Sequence, residues 1–395
     1  MKTTRRILQL LFLVITIIGV FALRGNAERW CPFGGVEAFY MYLREGDMLC
    51  SLGVSNFYIL GAVIALALLV RRAFCSYMCP IGTLSEWLQV AGRRLGLKPR
   101  RVPYRLDRAL ALLKYAVLAV VVYITYRAGE LLFRGFDPCY ALLSRHGEDI
   151  TAWSYIAAGS IIIASLFLAV PFCRWLCPLA AVFHPFSRFG LTRIKRDAVS
   201  CVNCGKCAKV CPMGIRVDAL EQVTAARCTS CMECVEVCPT KGKGALTWGP
   251  AEMLGRTWPQ AVLVAVLLLC VTAAVVASCA YPLPSFVKMR GETPDDVAAV
   301  ELRIHELTCR GRGTLLWYYL TRDDQQAIDG YLRLEAWPGP EAAPARVIFD
   351  PARTDAEAIK LAITEPYFDM TAVVWRPAPF IIEGYDPLGL AVDPD

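Results

Sequence analysis

Residues 201–240 read CVNCGKCAKVCPMGIRVDALEQVTAARCTSCMECVEVCPT and hold eight of the 18 cysteines in this chain. The first run is Cys201-x2-Cys204-x2-Cys207-x3-Cys211-Pro212, and the same spacing recurs from Cys228 to Pro239. In bacterial sequences this spacing binds two [4Fe–4S] clusters, and the fourth cysteine of each run ligates the cluster of the other run. Zinc sites also use CxxC pairs, but duplicated triplets that are each followed by Cys-Pro favour iron–sulfur chemistry. The predicted ligand sets are Cys201, Cys204, Cys207 and Cys238 for one cluster, and Cys228, Cys231, Cys234 and Cys211 for the other.

A second cysteine pattern, Phe-Cys-x3-Cys-Pro, occurs twice outside this segment. It starts at Phe74 and again at Phe172, and each copy follows an apolar run. An upstream cysteine beside a proline repeats as well, because Cys31 precedes Pro32 and Cys139 follows Pro138. The pattern predicts an internal duplication of one unit that consists of an outer cysteine, a helix and an inner CxxxCP motif.

The duplication predicts two cysteine sites. The CxxxCP cysteines are Cys75, Cys79, Cys173 and Cys177. Brought together, they provide enough thiolates for a third iron–sulfur or other metal centre. The alternative is that they act as paired redox thiols without metal. On the outer membrane face, Cys31 and Cys139 are expected near each other. They would form a disulfide, act as a redox pair, or share a metal with Cys50 or Cys279, unless they do not interact at all.

The composition is that of a membrane protein. Of the 395 residues, 56% are hydrophobic and 19% charged, and the mean hydropathy is +0.43. These values exclude a disordered chain and a purely cytosolic enzyme. Five apolar runs approach the length that crosses about 30 Å of hydrocarbon. They are residues 7–23, 54–70, 110–126, 153–170 and 261–280, of which the first has a cleaved signal peptide as its alternative interpretation.

The distribution of charge predicts the orientation. Nine Lys/Arg residues lie in 71–108, whereas 24–53 and 127–152 hold three each. The positive-inside rule then makes the N-terminus, 71–108 and 171–258 cytoplasmic, and it places the acidic residues 281–395 outside, in the periplasm of a Gram-negative host. The basic excess is explained by topology, so no nucleic-acid partner is implied.

Two CxxxCP motifs, a double [4Fe–4S] segment and surrounding helices resemble the polyferredoxin-type membrane iron–sulfur proteins. That group includes NapH, the membrane half of NosR, and FixG/CcoG, and the resemblance covers about residues 1–280. It implies quinol-linked electron transfer, or reduction of copper for oxidase assembly. FixG/CcoG also resembles this chain in having a fifth helix and an external C-terminal domain. No CxxCH motif for covalent haem is present.

Residues 296–384 are predicted to alternate as βαββαβ, with the last strand at residues 371–377. This is the order of a ferredoxin-like sandwich without iron. The segment resembles heavy-metal-associated domains, with Cys309 in the binding loop. The second cysteine of that family falls on Arg312, so a scaffold or docking role is favoured over a two-thiolate copper site.

The predicted fold class is an α-helical membrane protein of about five transmembrane helices, with an inserted two-cluster ferredoxin domain and a C-terminal α+β domain. The predicted domains are 1–195 (membrane, four helices), 196–245 (cytoplasmic ferredoxin), 258–281 (fifth helix) and 296–384 (periplasmic). The predicted function is electron transfer between cytoplasmic-side clusters and a quinone pool or a periplasmic acceptor in a bacterial inner membrane. A metal-handling or metal-reducing assembly factor and a redox sensor are the alternatives. No catalytic acid, base or nucleophile is apparent.

Overall fold

The computed structural model describes residues 2–22, 31–45, 55–128, 137–143, 150–250, 257–322, 328–339, 341–369 and 374–385. The chain divides into two compact units. The first comprises residues 1–37 and 55–279, and the second comprises residues 38–54 and 280–395.

The first unit is mainly helical. Its helices up to the ferredoxin segment are α1 (Lys2–Ile17), α2 (Pro32–Glu45), α3 (Ser55–Val70), α4 (Ala73–Tyr77), α5 (Pro80–Arg94), α6 (Tyr104–Leu110), α7 (Leu113–Ala128), α8 (Pro138–Leu143), α9 (Ala152–Phe167) and α10 (Pro178–Arg188). Helix α1 continues as a π-helical turn at Ile18–Ala22, and another such turn, Phe172–Leu176, precedes α10.

The two halves of this region repeat the same succession of elements. In each half a helix begins at a proline (α2 or α8), and a 16-residue apolar helix follows (α3 or α9). A five-residue helical turn then carries the first CxxxCP cysteine, and another helix begins at the proline of the motif (α5 or α10). Proline suits the first helical position because its missing N–H would be unpaired there in any case.

Among the described residues, three helical segments are long and apolar enough to cross a membrane by length and composition: Thr3–Ala22 (α1 with its π-helical turn), Tyr104–Arg127 (α6 and α7) and Gln260–Ala280. The apolar helices Asn56–Val70 and Ala152–Phe167 are shorter. A segment of about 17–25 apolar residues spans the hydrocarbon layer, so the two shorter helices fall just below that range. Five crossings remain a prediction.

The ferredoxin segment is a compact insert between α10 and the last long helix. It contains β1 (Thr192–Arg196), α11 (Lys206–Val210), α12 (Glu233–Glu236) and β2 (Leu246–Pro250), and α13 (Gln260–Ala280) follows it. Strand β1 pairs antiparallel with β2, with Ile194 opposite Trp248, and both side chains are buried.

The duplicated cysteine runs have duplicated backbone conformations. Asn203 and Gly205 have φ values of 50° and 65°, and Ser230 and Met232, at the corresponding positions of the second run, have 48° and 62°. A non-glycine residue with positive φ is uncommon. The repeated left-handed residues curl each loop in the same way, with one cysteine between them and others on either side.

Besides residues 38–45 of α2, the described part of the second unit contains a five-stranded antiparallel sheet and two helices. Its elements are β3 (Phe286–Arg290), β4 (Ala298–His305), α14 (Arg310–Thr321), β5 (Leu332–Ala336), β6 (Ala343–Phe349), α15 (Ala356–Thr364), β7 (Tyr367–Asp369), β8 (Val374–Arg376) and β9 (Ile381–Ile382). The strand order in the sheet is β3-β5-β6-β4-β9, and β7 and β8 form a separate hairpin.

The core of this unit combines both helices with one face of the sheet. Leu316 of α14 and Ile359 of α15 are fully buried in one cluster with Leu334 and Val347 of the sheet. Two features differ from the sequence prediction. Strand β3 is an additional edge strand, and the last strand of the sheet is β9 rather than the segment at 371–377, because residues 374–376 pair with β7 instead.

Candidate functional site

The cysteines of the second ferredoxin set meet at one buried cavity. Its lining includes all four of them, Cys211, Cys228, Cys231 and Cys234, among apolar side chains such as Ile194, Ile215 and Val223. Burial raises the pKa of the Cys231 thiol to about 12, and it also raises that of Cys234. Cys211 belongs to the first run and the other three to the second, so cysteines of both runs line this cavity.

The first set lies nearer the surface. Cys204 is exposed, whereas Cys207 is buried and within electrostatic range of Cys201. The backbone N–H of Asn203 and the Arg196 side chain lower the pKa of Cys201 by hydrogen bonding to its thiolate. The Cys238 sulfur lies 3.6 Å from the Thr240 hydroxyl oxygen. The ferredoxin insert therefore has one exposed and one enclosed cysteine set.

The two sets are adjacent to one another. Cys207 of the first set lies within electrostatic range of Cys234 of the second. Both residues are buried, and each belongs to a short helix that follows a left-handed residue. Helices α11 and α12 pack together, which fixes the spacing of the two sets.

The two CxxxCP motifs converge, although about 100 residues separate them in sequence. Burial raises the pKa of Cys173, and nearby negative charge on Cys79, Cys177 and Cys75 raises it further. Burial raises the pKa of Cys79 to about 11. Cys79 and Cys177 are the N-cap residues of α5 and α10, each followed by proline at the helix start. The four thiols that sequence pattern groups together are therefore neighbours in space.

Arg72 provides buried positive charge beside these thiols. Its side chain is 2% exposed, and its Nη2 atom donates to the Cys173 carbonyl at 3.3 Å. Burial lowers its pKa, but the charge of Cys75, Cys177 and Cys173 outweighs that effect, so the pKa is raised. The Nε atom is buried and has no hydrogen-bond partner among the described residues. An unpaired guanidinium N–H among thiols fits an anionic group bound there.

The chemistry of the donor atoms also fits iron–sulfur clusters. Among the described residues, no three His, Cys, Asp or Glu side chains converge closely enough to hold a single metal ion. The cysteines of a cubane cluster bind different iron atoms at its corners, so they stand farther apart than the ligands of one ion. Thiols are the ligands of iron–sulfur clusters, so groups composed mainly of thiols suit iron and sulfide.

Cys31 and Cys139 lie beside the CxxxCP thiols. Cys139 is within electrostatic range of Cys177, Cys79 and Cys31, and burial raises its pKa. Cys31 packs against the same apolar cluster as Cys177, which includes Phe183. The sequence predicts an outer pair separated from the inner four by the membrane. The structure differs because α2 and α8 begin next to α5 and α10 rather than at the far ends of α3 and α9.

The remaining cysteines are Cys50, Cys270, Cys279 and Cys309. Cys50 is outside the described residues, and Cys279 is exposed near the end of α13. Cys270 lies in the same helix, and Cys309 caps α14 of the second unit. The shared metal site that sequence analysis suggests for Cys279 with Cys31 or Cys139 thus remains a prediction.

The ferredoxin insert docks on the CxxxCP region through Arg71, Tyr77 and Arg5. Arg71 donates to the carbonyls of Thr192 and Ala225, both at 2.9 Å. Tyr77, between the two cysteines of the first motif, donates to the Ser230 carbonyl at 3.5 Å.

Arg5 of α1 makes a further contact with the insert. Its Nη1 atom donates to the Cys231 carbonyl at 3.0 Å and lies 3.2 Å from a Glu233 carboxylate oxygen. Ser230 and Cys231 belong to the second ferredoxin set or its loop, so this set faces the membrane domain.

A buried carboxylate joins the second CxxxCP motif to the same set. Asp107 of α6 accepts from Arg174 at 2.5 Å, from Arg227 at 2.6 Å and from the indole of Trp175 at 2.9 Å. Arg174 and Trp175 lie between Cys173 and Cys177, and Arg227 directly precedes Cys228. One side chain therefore positions a motif in the membrane domain and a loop of the insert.

Comparison with known families matches both CxxxCP motifs and the ferredoxin segment. A family model described as a 4Fe-4S binding domain matches twice, at residues 52–98 and 150–197. A second, described as a 4Fe-4S dicluster domain, matches residues 193–239. The paired match confirms the internal duplication, because each copy contains one CxxxCP motif. It does not extend to Cys31 or Cys139.

Similarity to individual proteins is consistent with these matches. YccM of Escherichia coli, named as an electron transport protein, is 35% identical over 210 residues, which cover 50% of this chain and 57% of YccM. An uncharacterized protein of Methanocaldococcus jannaschii is 30% identical over 50% of this chain and 79% of its own length. The ferredoxin-type protein NapH of Haemophilus influenzae is 29% identical over 38% of this chain and 50% of NapH.

The chain belongs to the polyferredoxin-type membrane iron–sulfur proteins. Its 4Fe-4S domain matches and apolar helices agree with the resemblance that the cysteine motifs carry. The chain spans only 57% of YccM, and no solved structure matches it.

Sequence reasoning about this polyferredoxin-type protein missed the charged residues that join its parts. Arg71 and Arg72 count in the sequence as loop cations that set topology, yet both are at most 2% exposed. Asp107 lies in the basic segment 71–108, and no sequence pattern marks it as a buried ion-pair partner. A signal was present for the two arginines, since they lie three and four residues before Cys75, next to a motif whose cluster would be anionic.

Proposed function

We propose that this protein transfers single electrons along three iron–sulfur centres that follow one another from the surface of the ferredoxin insert into the membrane domain. The observation that carries the proposal is the position of the second ferredoxin set. It adjoins the first set through Cys207 and Cys234, and it adjoins the first CxxxCP motif through Ser230 and Tyr77. When bound, the clusters supply reversible one-electron chemistry.

The residues of the insert bind and insulate two of these centres. The proposed ligands of the exposed centre are Cys201, Cys204, Cys207 and Cys238, and those of the enclosed centre are Cys228, Cys231, Cys234 and Cys211. Apolar side chains around the second set exclude water, which lowers the reorganisation that accompanies a change of charge. Exposure of Cys204 suits the first set to exchange electrons with a partner.

The third centre takes its thiolates from the two CxxxCP motifs. Cys79 and Cys177 stand at the N-termini of two helices of 15 and 11 residues, where unpaired backbone N–H groups favour negative charge. Arg72 offsets the charge of the thiols from inside the protein. These contacts favour the reduced state of a buried cluster, because reduction adds one negative charge.

An apolar groove beside the second set is the proposed quinone site. It has a volume of about 580 Å³ and is lined by residues of α3, α13 and the insert, among them Val70, Val262, Val266 and Trp258. Ligand sites for small molecules generally have volumes of about 300–1,000 Å³. Arg193 lines the same groove, and its buried Nε atom has no hydrogen-bond partner within the described residues. It would donate to a quinone oxygen.

The groove and the enclosed cysteine set adjoin the same strand. Thr192 and Arg193 of β1 line the groove, and Ile194, the next residue of the strand, lines the cavity of the second set. A quinone in the groove would therefore lie beside the strand that borders the second set and exchange electrons with it there.

The membrane arrangement is proposed to consist of five crossings in a bacterial inner membrane, with the insert cytoplasmic and residues 281–395 periplasmic. The two shorter apolar helices, α3 and α9, each lead into a CxxxCP motif and are counted among these five crossings. The excess of Lys and Arg in 71–108 supports this orientation.

For the periplasmic domain we propose a ferredoxin-like sandwich that acts as a scaffold or docking module. The order β9-β4-β6-β5, entirely antiparallel, supports this fold. Arg312 stands where heavy-metal-associated domains have their second cysteine, and it forms an ion pair with Glu306 at 3.2 Å. That contact supports a docking role rather than a two-thiolate metal site. The partner is proposed to be a periplasmic or membrane redox protein.

The experiment that tests electron transfer uses the full chain, purified anaerobically in detergent. Iron and sulfide analysis with EPR counts the centres, and addition of quinol is expected to reduce them.

Val266→Trp, which fills the groove, is expected to abolish reduction by quinol but not by dithionite. Val275→Trp is the matched control, because Val275 is exposed on the same helix. Quinol reduction that is unchanged in Val266→Trp would contradict the quinone site. Clusters that reduce cupric ions but never exchange electrons with quinone would favour the metal-reducing alternative.

A further inference from the structure

Cys31 and Cys139 are each held in place at the start of a helix within the first unit. The Asn56 side chain donates to the Cys31 carbonyl at 3.1 Å, and the Asp137 carboxylate accepts from the Cys139 backbone N–H at 2.9 Å. Gly35, one turn into α2, packs so closely on α3 that an added Cβ would lie 2.5 Å from the Asn56 carbonyl oxygen. The position of Cys31 is therefore fixed by close packing of α2 on α3.

With these two residues, six thiols form two overlapping groups of four. Cys79 and Cys177 belong to both groups. One group adds Cys75 and Cys173, which lie beside Arg72. The other group adds Cys31 and Cys139, and Cys139 has Cys177, Cys79 and Cys31 as its cysteine neighbours. Each group takes two thiols from each half of the duplicated region, as a shared site between repeats requires.

The two groups differ in how their thiols are placed. Cys75 and Cys173 lie within helical turns, and Arg72 is hydrogen-bonded beside them, to the carbonyl of Cys173. Cys31, Cys79 and Cys177 each directly precede the proline that begins a helix of 11 or more residues, whereas Cys139 is the second residue of α8. A cysteine before such a helix start has its thiolate favoured by the unpaired N–H groups of the first turn.

We propose that Cys31 and Cys139 are ligands of the third iron–sulfur centre and bind it together with Cys79 and Cys177. Cys75 and Cys173 then form, with Arg72, the polar wall between this centre and the second ferredoxin set. This inference rests on the proposed third centre and names its ligands. It assigns a role to two cysteines that lie outside the 4Fe-4S domain matches.

The test compares two double variants of the full-length protein, purified anaerobically. C31S/C139S is expected to lose the iron and sulfide of one cluster, whereas C75S/C173S is expected to keep them. C270S/C279S, which alters two cysteines of α13 that belong to neither group of four, is the matched control and should retain all the iron. Both EPR signals of the ferredoxin insert should persist in every variant, which shows that the chain has folded.

The outcomes separate this inference from the proposed third centre. Full iron in C31S/C139S together with loss in C75S/C173S would overturn the ligand assignment and leave the third centre intact. Loss of iron in both double variants would overturn the proposal that the ligands are Cys31, Cys139, Cys79 and Cys177 alone. Full iron in both, with only two clusters in the unaltered protein, would overturn the third centre as well.

If C31S/C139S does not fold, the single variants C31S and C139S provide a second measurement. A serine oxygen can replace one thiolate, so each is expected to alter the EPR or Mössbauer spectrum of one cluster without loss of iron from the other two. Spectra identical to those of the unaltered protein would overturn the proposal.

Discussion

Arg71 and Arg72 are consecutive and both buried, but their side chains bind different parts of the protein. Arg71 donates to two carbonyls of the ferredoxin insert, and Arg72 donates to the Cys173 carbonyl beside the CxxxCP thiols. Arg71 has a φ of 60°, which turns the chain where α3 ends. The pair thus joins the insert to the membrane domain and places one positive charge beside each group of thiols.

Removing the Arg71 guanidinium is expected to loosen the insert. Arg71→Gln deletes the two hydrogen bonds at 2.9 Å, and a hydrogen bond to a charged group contributes about 1.5–3 kcal/mol. We expect faster hydrogen exchange and proteolysis across residues 192–246. Arg216→Gln, which alters an exposed arginine of the same insert, is the control. Equal protection of the insert in both variants would show that Arg71 does not hold it.

Neutralising Arg72 is expected to lower the reduction potential of the third centre. Reduction adds negative charge, which a nearby cation stabilises, and burial makes that interaction stronger than in water. Arg72→Met should shift the EPR-monitored midpoint downward by tens of millivolts, while Arg72→Lys, which keeps the charge, should shift it less. The midpoints of the insert clusters should change less than that of the third centre. A midpoint that does not move in Arg72→Met would contradict the electrostatic role.

Cys211 is expected to ligate the cluster of the other run. Its thiol lines the same cavity as Cys228 and Cys231. Cys211→Ser should therefore perturb the same EPR signal as Cys228→Ser, and Cys204→Ser should perturb the other. If Cys211→Ser and Cys204→Ser altered one common signal, the crossed ligand assignment would be wrong.

Asp107 is expected to be the most sensitive carboxylate in the first unit. Asp107→Asn leaves Arg174 and Arg227 without their buried counter-charge, and breaking a buried ion pair in this way costs about 3–5 kcal/mol. Thermal unfolding in detergent should show a large loss of stability. Glu221→Gln, at an exposed position of the insert, is the matched control. A melting temperature within error of that control would indicate that the network contributes little.

Much of the site was predictable because its signals are local. The loops of the ferredoxin runs depend on spacings of two or three residues, and the left-handed residues at 203, 205, 230 and 232 shape each loop within one short segment. The CxxxCP pairs lie one helical turn apart, and prolines mark the helix starts that follow them. The duplication was visible because the same short pattern recurs after an apolar run.

Prediction was incomplete where helix length and depth mattered. Hydropathy indicates five apolar runs, but in the part of the chain that the structure describes three helical segments have the length and composition to cross a membrane on their own. In the second unit, strand-forming character at 371–377 did not reveal that residues 374–376 would pair with β7 and leave the sheet edge to β9. Short strands are defined by their partners, which periodicity does not identify.

The sequence by itself determined which residues can hold clusters, because ligand type and spacing are properties of a short stretch of chain. Only the tertiary structure decided which stretches meet. It brought Cys139 to Cys79 and Cys177, joined Asp107 to Arg174 and Arg227, and buried Arg71 and Arg72 between the insert and the membrane domain. These contacts join residues 38 to 154 positions apart, and the packing of the two repeated halves and the insert, rather than any local pattern, sets their distances.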